Sequence, residues 1–482
     1  MKLIYGIKDK PKFSQRVVFA LQQLLAIMAA TLAVPAVINN SMADKSILTE
    51  MSPAAALFGA GVGTIVYLLF TRSKSPVFLG SSFAFIGSMC SAFAGAVTLG
   101  LSVSVGYLGL IIGAVLAGLV YVILAIFAKR LGTEWLNRLM PPVVIGPTVA
   151  IIGLSLAPNA VSDLLKSSVT QTVVKYEIVN NDPANILQKT VLQPTGSVYV
   201  CLVCGLVTLL ATILFATYGK KMSRLIPFIL GILAGYACAC VFYIIGDAAG
   251  IENLKVISFQ PFVDCFSAIS LKSFLNLPDF SFAKGWGSFK ELNLPYFITL
   301  ISAYVPVAFV VFAEHIADHK NLSSIVEKDL LKDPGLHRTL LGDGVGSMAG
   351  AFFGGCPNTT YGESIGCVAI TGNASIVTIW YAAVLCILVS FFSPFIAFLQ
   401  SIPSCVMGGV CIALYGFIAV SGLKMLQLVD LNENRNLFTA SVILITGVGG
   451  IVLTIGVVEI RTVACALILG ILVNKLLAKE KT

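Results

Sequence analysis

The strongest constraint in this chain is the recurrence of apolar runs about twenty residues long that carry almost no charge. A helix needs about twenty such residues to cross the hydrocarbon layer of a bilayer. Fourteen runs are read, at 17–38, 53–70, 77–95, 105–128, 139–157, 197–216, 225–246, 295–320, 337–354, 357–371, 374–393, 399–422, 436–456 and 460–478. Only 11% of the 482 residues are charged and 57% are hydrophobic, with a mean hydropathy of +0.94. A soluble domain carries about 25% charged residues, so too little polar surface is left to cover a water-soluble particle. This excludes a cytosolic enzyme, a nucleic-acid-binding domain and a disordered chain, and predicts an all-α polytopic membrane protein. The first run is too long for the apolar core of a signal peptide and is read as a retained helix.

The positive-inside rule gives an independent check on the count. With both termini in the cytoplasm, 22 of the 31 Lys and Arg fall on the cytoplasmic side. The opposite side holds Lys45, Lys166, Lys175, Lys189, Lys255, Lys272, Lys284, Lys290 and Arg461, seven of them in the long loops 158–196 and 247–294. A miscounted span would reverse the asymmetry partway along the chain, and it persists to Lys481. The 12 cysteines lie mostly in apolar runs and imply no disulfide framework. Cys201-x-x-Cys204 lacks a second pair and implies no metal site.

A weak internal repeat is visible. Met140-Pro141-Pro142-Val143-Val144-Ile145-Gly146 in span 5 resembles Ile402-Pro403-Ser404-Cys405-Val406-Met407-Gly408 in span 12. The two short, polar runs, spans 3 and 10, are also seven apart. Seven spans per half would make the second half enter from the opposite face, so the expected architecture is two inverted seven-span repeats with a site near the midplane. Gly59-Ala60-Gly61-Val62-Gly63 reads as small-residue helix packing rather than a phosphate loop.

Four acidic residues lie inside spans: Glu314 and Asp318 in span 8, Asp343 in span 9 and Glu363 in span 10. Each costs roughly 2.5–3.5 kcal/mol even on lenient insertion scales and so needs a function. Glu314 and Asp318 are four apart and share a helical face; a solvated helix end is the alternative for Asp318. In Gly354-Gly355-Cys356-Pro357-Asn358-Thr359-Thr360-Tyr361-Gly362-Glu363-Ser364, Gly and Pro interrupt the helix and the β-branched pair favours extended backbone. Its repeat mate is Leu79-Gly80-Ser81-Ser82-Phe83-Ala84-Phe85. Irregular backbone at membrane depth survives only inside protein or along a cavity. His315 and His319, beside these carboxylates, read as histidines at a cytoplasmic helix end facing Asp and phosphate headgroups; zinc binding or an intramembrane enzyme is the remote alternative.

These residues resemble a known family. Glu314-His315, the block Pro357–Gly366 with Ala369-Ile370-Thr371, Gly80-Ser81-Ser82-Phe83-Ala84-Phe85, and Asp333-Pro334-Gly335-Leu336-His337-Arg338 look like the nucleobase–ascorbate transporters (nucleobase:cation symporter-2), with the bacterial uracil permeases as the closest branch. The resemblance covers essentially the whole chain. It implies a cytoplasmic segment 1–16, a core domain of spans 1–4 (17–128) and 8–11 (295–393), and a gate domain of spans 5–7 (139–246) and 12–14 (399–478). An extracytoplasmic loop 247–294 joins the halves, and spans 3 and 10 each carry a short strand. It further implies a secondary active transporter in the bacterial cytoplasmic membrane, not an enzyme, possessing no cofactor or resident metal and binding no nucleic acid.

By the same resemblance, Glu314 and Glu363 face the base, backbone around Phe83 and Gly362 with Ala30 completes the pocket, and Tyr415 faces it from the gate domain. Phe83 or Tyr361 would cover the flat ring. Asn358, Ser82 and Asp343 support the site, Glu314 and Asp318 carry the coupling proton, and a homodimer forms through the gate domain. Uracil offers two ring N–H donors and two carbonyls, which a carboxylate and strand amides can pair. Because the base is neutral, uphill import needs an ion. A carboxylate out of water favours its protonated form, which makes a proton the expected ion and sodium the competitor. Asp318 stands where uracil permeases carry His, Gln22-Gln23 where many members have Gln-His, Gly372 where a basic residue is usual, and Asp343 is typical of purine carriers. A purine is therefore the alternative substrate, and an anion exchanger of the same fold the remote one.

Overall fold

The computed structural model describes residues 3–132, 140–178, 186–220, 222–455, 458–460 and 462–478. Lys2, Arg138, Lys221, Arg461, Lys479 and Lys481 of the charge pattern lie outside the described residues, as do 139, 456 and 461 of three apolar runs. In chain order the longer helices are α1 (Phe13–Ala43), α2 (Pro53–Phe70), α3 (Ile86–Thr98), α4 (Val103–Leu131), α5 (Pro142–Leu164), α6 (Val198–Tyr218), α7 (Pro227–Ala249), α8 (Leu294–Val326), α9 (Leu336–Gly354), α10 (Gly362–Thr371), α11 (Ile376–Ser390), α12 (Ser393–Ser401), α13 (Ser404–Leu426), α14 (Asn434–Val448) and α15 (Thr462–Leu476). Among the described residues, eight helices (α1, α2, α4, α5, α6, α7, α8 and α13) are long and apolar enough to cross a membrane. The chain is a predominantly helical, multi-pass membrane protein.

Helix starts follow local chemistry. Ser52 precedes Pro53, and its hydroxyl accepts from the Ala55 N–H at 3.2 Å. The Asn293 side chain accepts from the Tyr296 N–H at 2.9 Å, with a proline in the first turn of α8. Such caps satisfy amides that have no partner within the helix.

Several expected boundaries are corrected. The 399–422 run is two helices, α12 and α13, because Pro403 lacks the N–H that would continue the ladder. The 436–456 run is helical only to Val448. It turns at Gly449-Gly450, where Gly450 has φ +72°, and pairs β5 (Leu453–Ile455) with β6 (Val458–Ile460). Span 8 runs six residues past its expected end, to Val326. The loop 247–294 carries short helices, including Gln260–Phe266 and Ser281–Gly285, and in the loop 158–196 β2 (Thr170–Ile178) pairs antiparallel with β3 (Ile186–Pro194).

The third and tenth apolar runs hold the expected strands. β1 (Leu79–Ser81) pairs antiparallel with β4 (Asn358–Thr360), in the register Leu79↔Thr360, Gly80↔Thr359 and Ser81↔Asn358. The pairing extends through Ser82 N–H to Pro357 O at 2.9 Å and Tyr361 N–H to Phe78 O at 3.3 Å. Each strand then leads into a short helix, α3 and α10.

Internal contacts divide the chain into two compact units, Met1–Ala157 with Phe274–Ile396 and Leu414–Thr482, and Pro158–Ser273 with Ala397–Ala413. Every candidate site residue falls in the first. There α2 and α9 approach closely: a side chain at Gly59 would strike the Gly350 carbonyl, and one at Gly63 the Gly346 carbonyl. Asn358 fills the groove between them and donates to Gly59 O at 3.0 Å. The glycine run is a packing surface.

Candidate functional site

The site is built on the paired strands and on α8. Four side chains fasten the strands. Leu79 N–H donates to Thr64 Oγ1 at 2.9 Å, anchoring β1 to α2. The Tyr361 hydroxyl donates to Ser81 O at 2.7 Å while its ring lies against Gly80. Gln23 of α1 donates to Ser364 Oγ, which also receives the Phe78 N–H at 3.1 Å. Tyr361 is thus buried as a strut between strands. Phe83 stands edge-on to Tyr415, ring centroids 5.6 Å apart, and Ala30 is buried.

The carboxylates separate into two groups. Glu314, Asp318 and Glu363 are half-buried. Glu314 has no hydrogen-bond or ion-pair partner among the described residues, yet lies within electrostatic reach of Asp318, Asp343 and Glu363. Asp318 accepts from the Thr360 hydroxyl of β4 at 2.7 Å, and Glu363 accepts from its own backbone N–H. Asp318 is therefore not the solvated helix end considered as an alternative: α8 continues past it, and a strand residue bonds it. Beside Glu363, Gly362 is exposed, and side-chain positions built at Gly362, Gly366 and Gly416 meet nothing within 4 Å. One half-buried acceptor, Glu363, thus follows directly on an open position in the chain.

The second group is closed. His315 and His319 are fully buried, which corrects the expectation that they face headgroups. The Thr339 hydroxyl donates to Leu336 O at 3.1 Å, so His315 Nε2–H must donate to Thr339 at 3.0 Å. The remaining 2.7 Å contact between His315 Nδ1 and Asp343 Oδ2 then requires one further proton, on ring or carboxyl. Either placement leaves the pair neutral overall. His319 Nδ1–H donates to His315 O at 2.8 Å, leaving Nε2 to meet the Tyr67 hydroxyl at 2.7 Å. Sequence reasoning missed Thr339, Tyr67 and Thr360 as partners. The one signal for Thr339 was its position four residues before Asp343, on the same helix face.

Ser82 and Asn358 frame the strand crossing rather than the open space. Ser82 Oγ has no partner among the described residues, and Asn358 faces α2.

A half-buried carboxylate without a bonding partner among the described residues, in a chain with two strand-interrupted apolar runs, is an arrangement that suits a transporter. Comparison with known proteins agrees: a model described as a permease family matches residues 14–456. The chain belongs to that family, the nucleobase:cation symporter-2 family. It is similar to the uracil permease of Bacillus subtilis (strain 168), 35% identical with 100% of this chain and 96% of that protein covered. It is likewise similar to the uracil permease of Bacillus caldolyticus, 36% identical over 99% and 95%, and to that of Escherichia coli (strain K12), 33% over 97% and 92%. In fold it is similar to the transmembrane domain of the cyanobacterial bicarbonate transporter BicA, with TM-score 0.59 at 13% identity and 98% of both chains covered. The murine anion transporter Slc26a9 gives the same TM-score and identity over 97% of this chain and 69% of that one.

Proposed function

We propose that this chain imports uracil by proton symport across the bacterial cytoplasmic membrane, with both termini inside. The observation that carries the reading is the unpartnered Glu314 carboxylate, within electrostatic reach of Asp318 and of Glu363, whose chain neighbour Gly362 adjoins open space. A carboxylate without a cation is an acceptor for a ring N–H, and the amides that open α10 can donate to a carbonyl of the base. Phe83 and Tyr415 supply apolar ring surface. Relatives named uracil permeases along nearly the whole chain support the base. Asp343, the residue that favoured a purine, is engaged by His315. Although the fold is that of anion transporters, no Lys or Arg pairs with Glu314, Asp318 or Glu363 among the described residues, and such a site repels an anion.

The finer architecture belongs to the same reading: fourteen spans in two inverted sevens, core and gate domains as set out above, and a homodimer through the gate. The antiparallel pairing of strands from the third and tenth runs supports it.

Glu314 holds the base while Asp318 relays the proton toward the cytoplasm. The test reconstitutes Asp318→Asn in vesicles. Accumulation of labelled uracil driven by a pH gradient should fall at least ten-fold, while equilibrium exchange, which needs no net proton release, keeps most of its rate. Unchanged accumulation, or wild-type accumulation driven by sodium and indifferent to the pH gradient, would contradict the coupling.

A further inference from the structure

Away from the carboxylates, the end of α2, the last turns of α4 and the first turn of α9 enclose a cleft of about 240 Å³. Its polar lining is entirely basic: Lys129, His337 and Arg338. His337 lies within electrostatic reach of Lys129 and Arg338, whose charges favour its neutral form. No acidic residue pairs with Lys129 or Arg338 among the described residues; Arg338 donates only to the Phe70 carbonyl, at 3.4 Å. Two converging cations without a counterion repel each other and favour an anion from outside, and the neutral His337 imidazole adds an N–H donor.

The rest of the lining is apolar and opens outward. Ile126 is 49% exposed and Phe70 37%, and Leu341 also lines the cleft. From Ile126 the exposed face of α4 continues through Ile123 and Leu119, at the 3–4 spacing of one helical stripe. Such a stripe on a membrane-spanning helix borders hydrocarbon. A cationic head site that runs into an apolar stripe fits an amphiphile with a negative head.

We propose that this cleft binds an anionic phospholipid, its phosphodiester held by Lys129, His337 and Arg338 and one acyl chain lying along Ile126, Ile123 and Leu119. Basic clefts between spanning helices are suited to such headgroups. Inorganic phosphate shares the head chemistry but gains nothing from the stripe. The proposal does not depend on which base the chain transports.

The test uses the full chain purified in neutral detergent and reads its thermal midpoint as lipid is added. Phosphatidylglycerol should raise the midpoint; phosphatidylcholine and inorganic phosphate at equal concentration should not. The variant K129Q/R338Q should need roughly thirty-fold more phosphatidylglycerol for the same rise, about five-fold for each cation removed. K8Q/K10Q removes two exposed cations elsewhere and should respond like wild type. If K129Q/R338Q does not fold, R338Q alone should retain less phosphatidylglycerol than wild type by native mass spectrometry. Equal shifts with the two lipids, a full shift with phosphate alone, an unaltered response of the cleft variants, or an equal loss in K8Q/K10Q would each overturn the assignment.

Discussion

Two neighbouring residues on α8 meet opposite fates. Glu314 lies half-buried with no bonding partner among the described residues, while His315 is fully buried with both ring nitrogens bonded. One turn on the contrast repeats in softened form: Asp318 keeps a single bond to Thr360, and His319 is enclosed by Tyr67 and the His315 carbonyl. Both faces carry ionisable groups at membrane depth, where each must be justified. The closed face justifies them internally, holding α8 to α9 and α2. The open face leaves its acceptors for something that arrives. Polar residues in a spanning helix therefore divide by bonding saturation rather than by residue type.

Breaking the closed face should have the largest effect. His315→Leu strands Asp343 without its partner, and losing one member of a buried pair costs about 3–5 kcal/mol. Thermal or denaturant unfolding in detergent should show a clear drop. The double variant His315→Leu/Asp343→Leu should recover part of it, since removing both partners leaves no orphaned group. A double variant less stable than the single would mean that the pair has a role other than mutual satisfaction.

The open face should behave in the opposite manner. Glu363→Gln removes one charge-assisted acceptor, worth about 1.5–3 kcal/mol, and leaves no buried partner stranded. Uracil binding by calorimetry should weaken roughly ten- to hundred-fold with the unfolding midpoint nearly unchanged. Wild-type affinity in that variant would remove Glu363 from the site.

The smallest effect is expected at Asp333, a carboxylate that is bonded but exposed. Lys328, at 2.7 Å, and Lys74, at 2.6 Å, hold its carboxyl below the usual carboxylate range, at about 2. A lowered folded-state value means that its contribution is present above the unfolded value, near 3.9, and fades as pH falls from about 4 through 2. All three side chains are two-fifths to half exposed, so solvent and salt screen the bridge. Asp333→Asn should lower the unfolding midpoint slightly at pH 6 and low salt, and the difference from wild type should vanish at high salt and toward pH 2. A difference that grows with acid would contradict this sign.

Much of the open face was legible in the sequence, and little of the closed one. Charges in apolar runs are conspicuous, and Gly, Pro and β-branched residues at 354–364 announced a broken helix; matching positions marked 79–85 as its repeat mate, but that the two strands pair with each other came from the structure. The bond between His315 and Asp343, 28 residues apart in sequence, was not legible, because it depends on how their two helices are rotated about their axes, which periodicity does not fix. Tyr361 illustrates the same limit: an aromatic at the strand end reads equally as a ring cover or a strut, and the carbonyl of Ser81 decides it. The joint between spans 13 and 14 was misread because Leu453–Ile455 is apolar enough to extend a helix, and only the Gly449-Gly450 turn marks the change.

The central claim, that the open carboxylates receive uracil, is tested most directly by competition. Vesicles containing the wild-type protein take up labelled uracil against increasing concentrations of unlabelled uracil, xanthine and guanine. A site built to pair the N–H and carbonyl groups of one base rejects bases that leave them unpaired by large factors. Unlabelled uracil should therefore halve uptake at a concentration at least a hundred-fold below either purine. Half-inhibition by xanthine or guanine at a lower concentration than uracil would contradict the account.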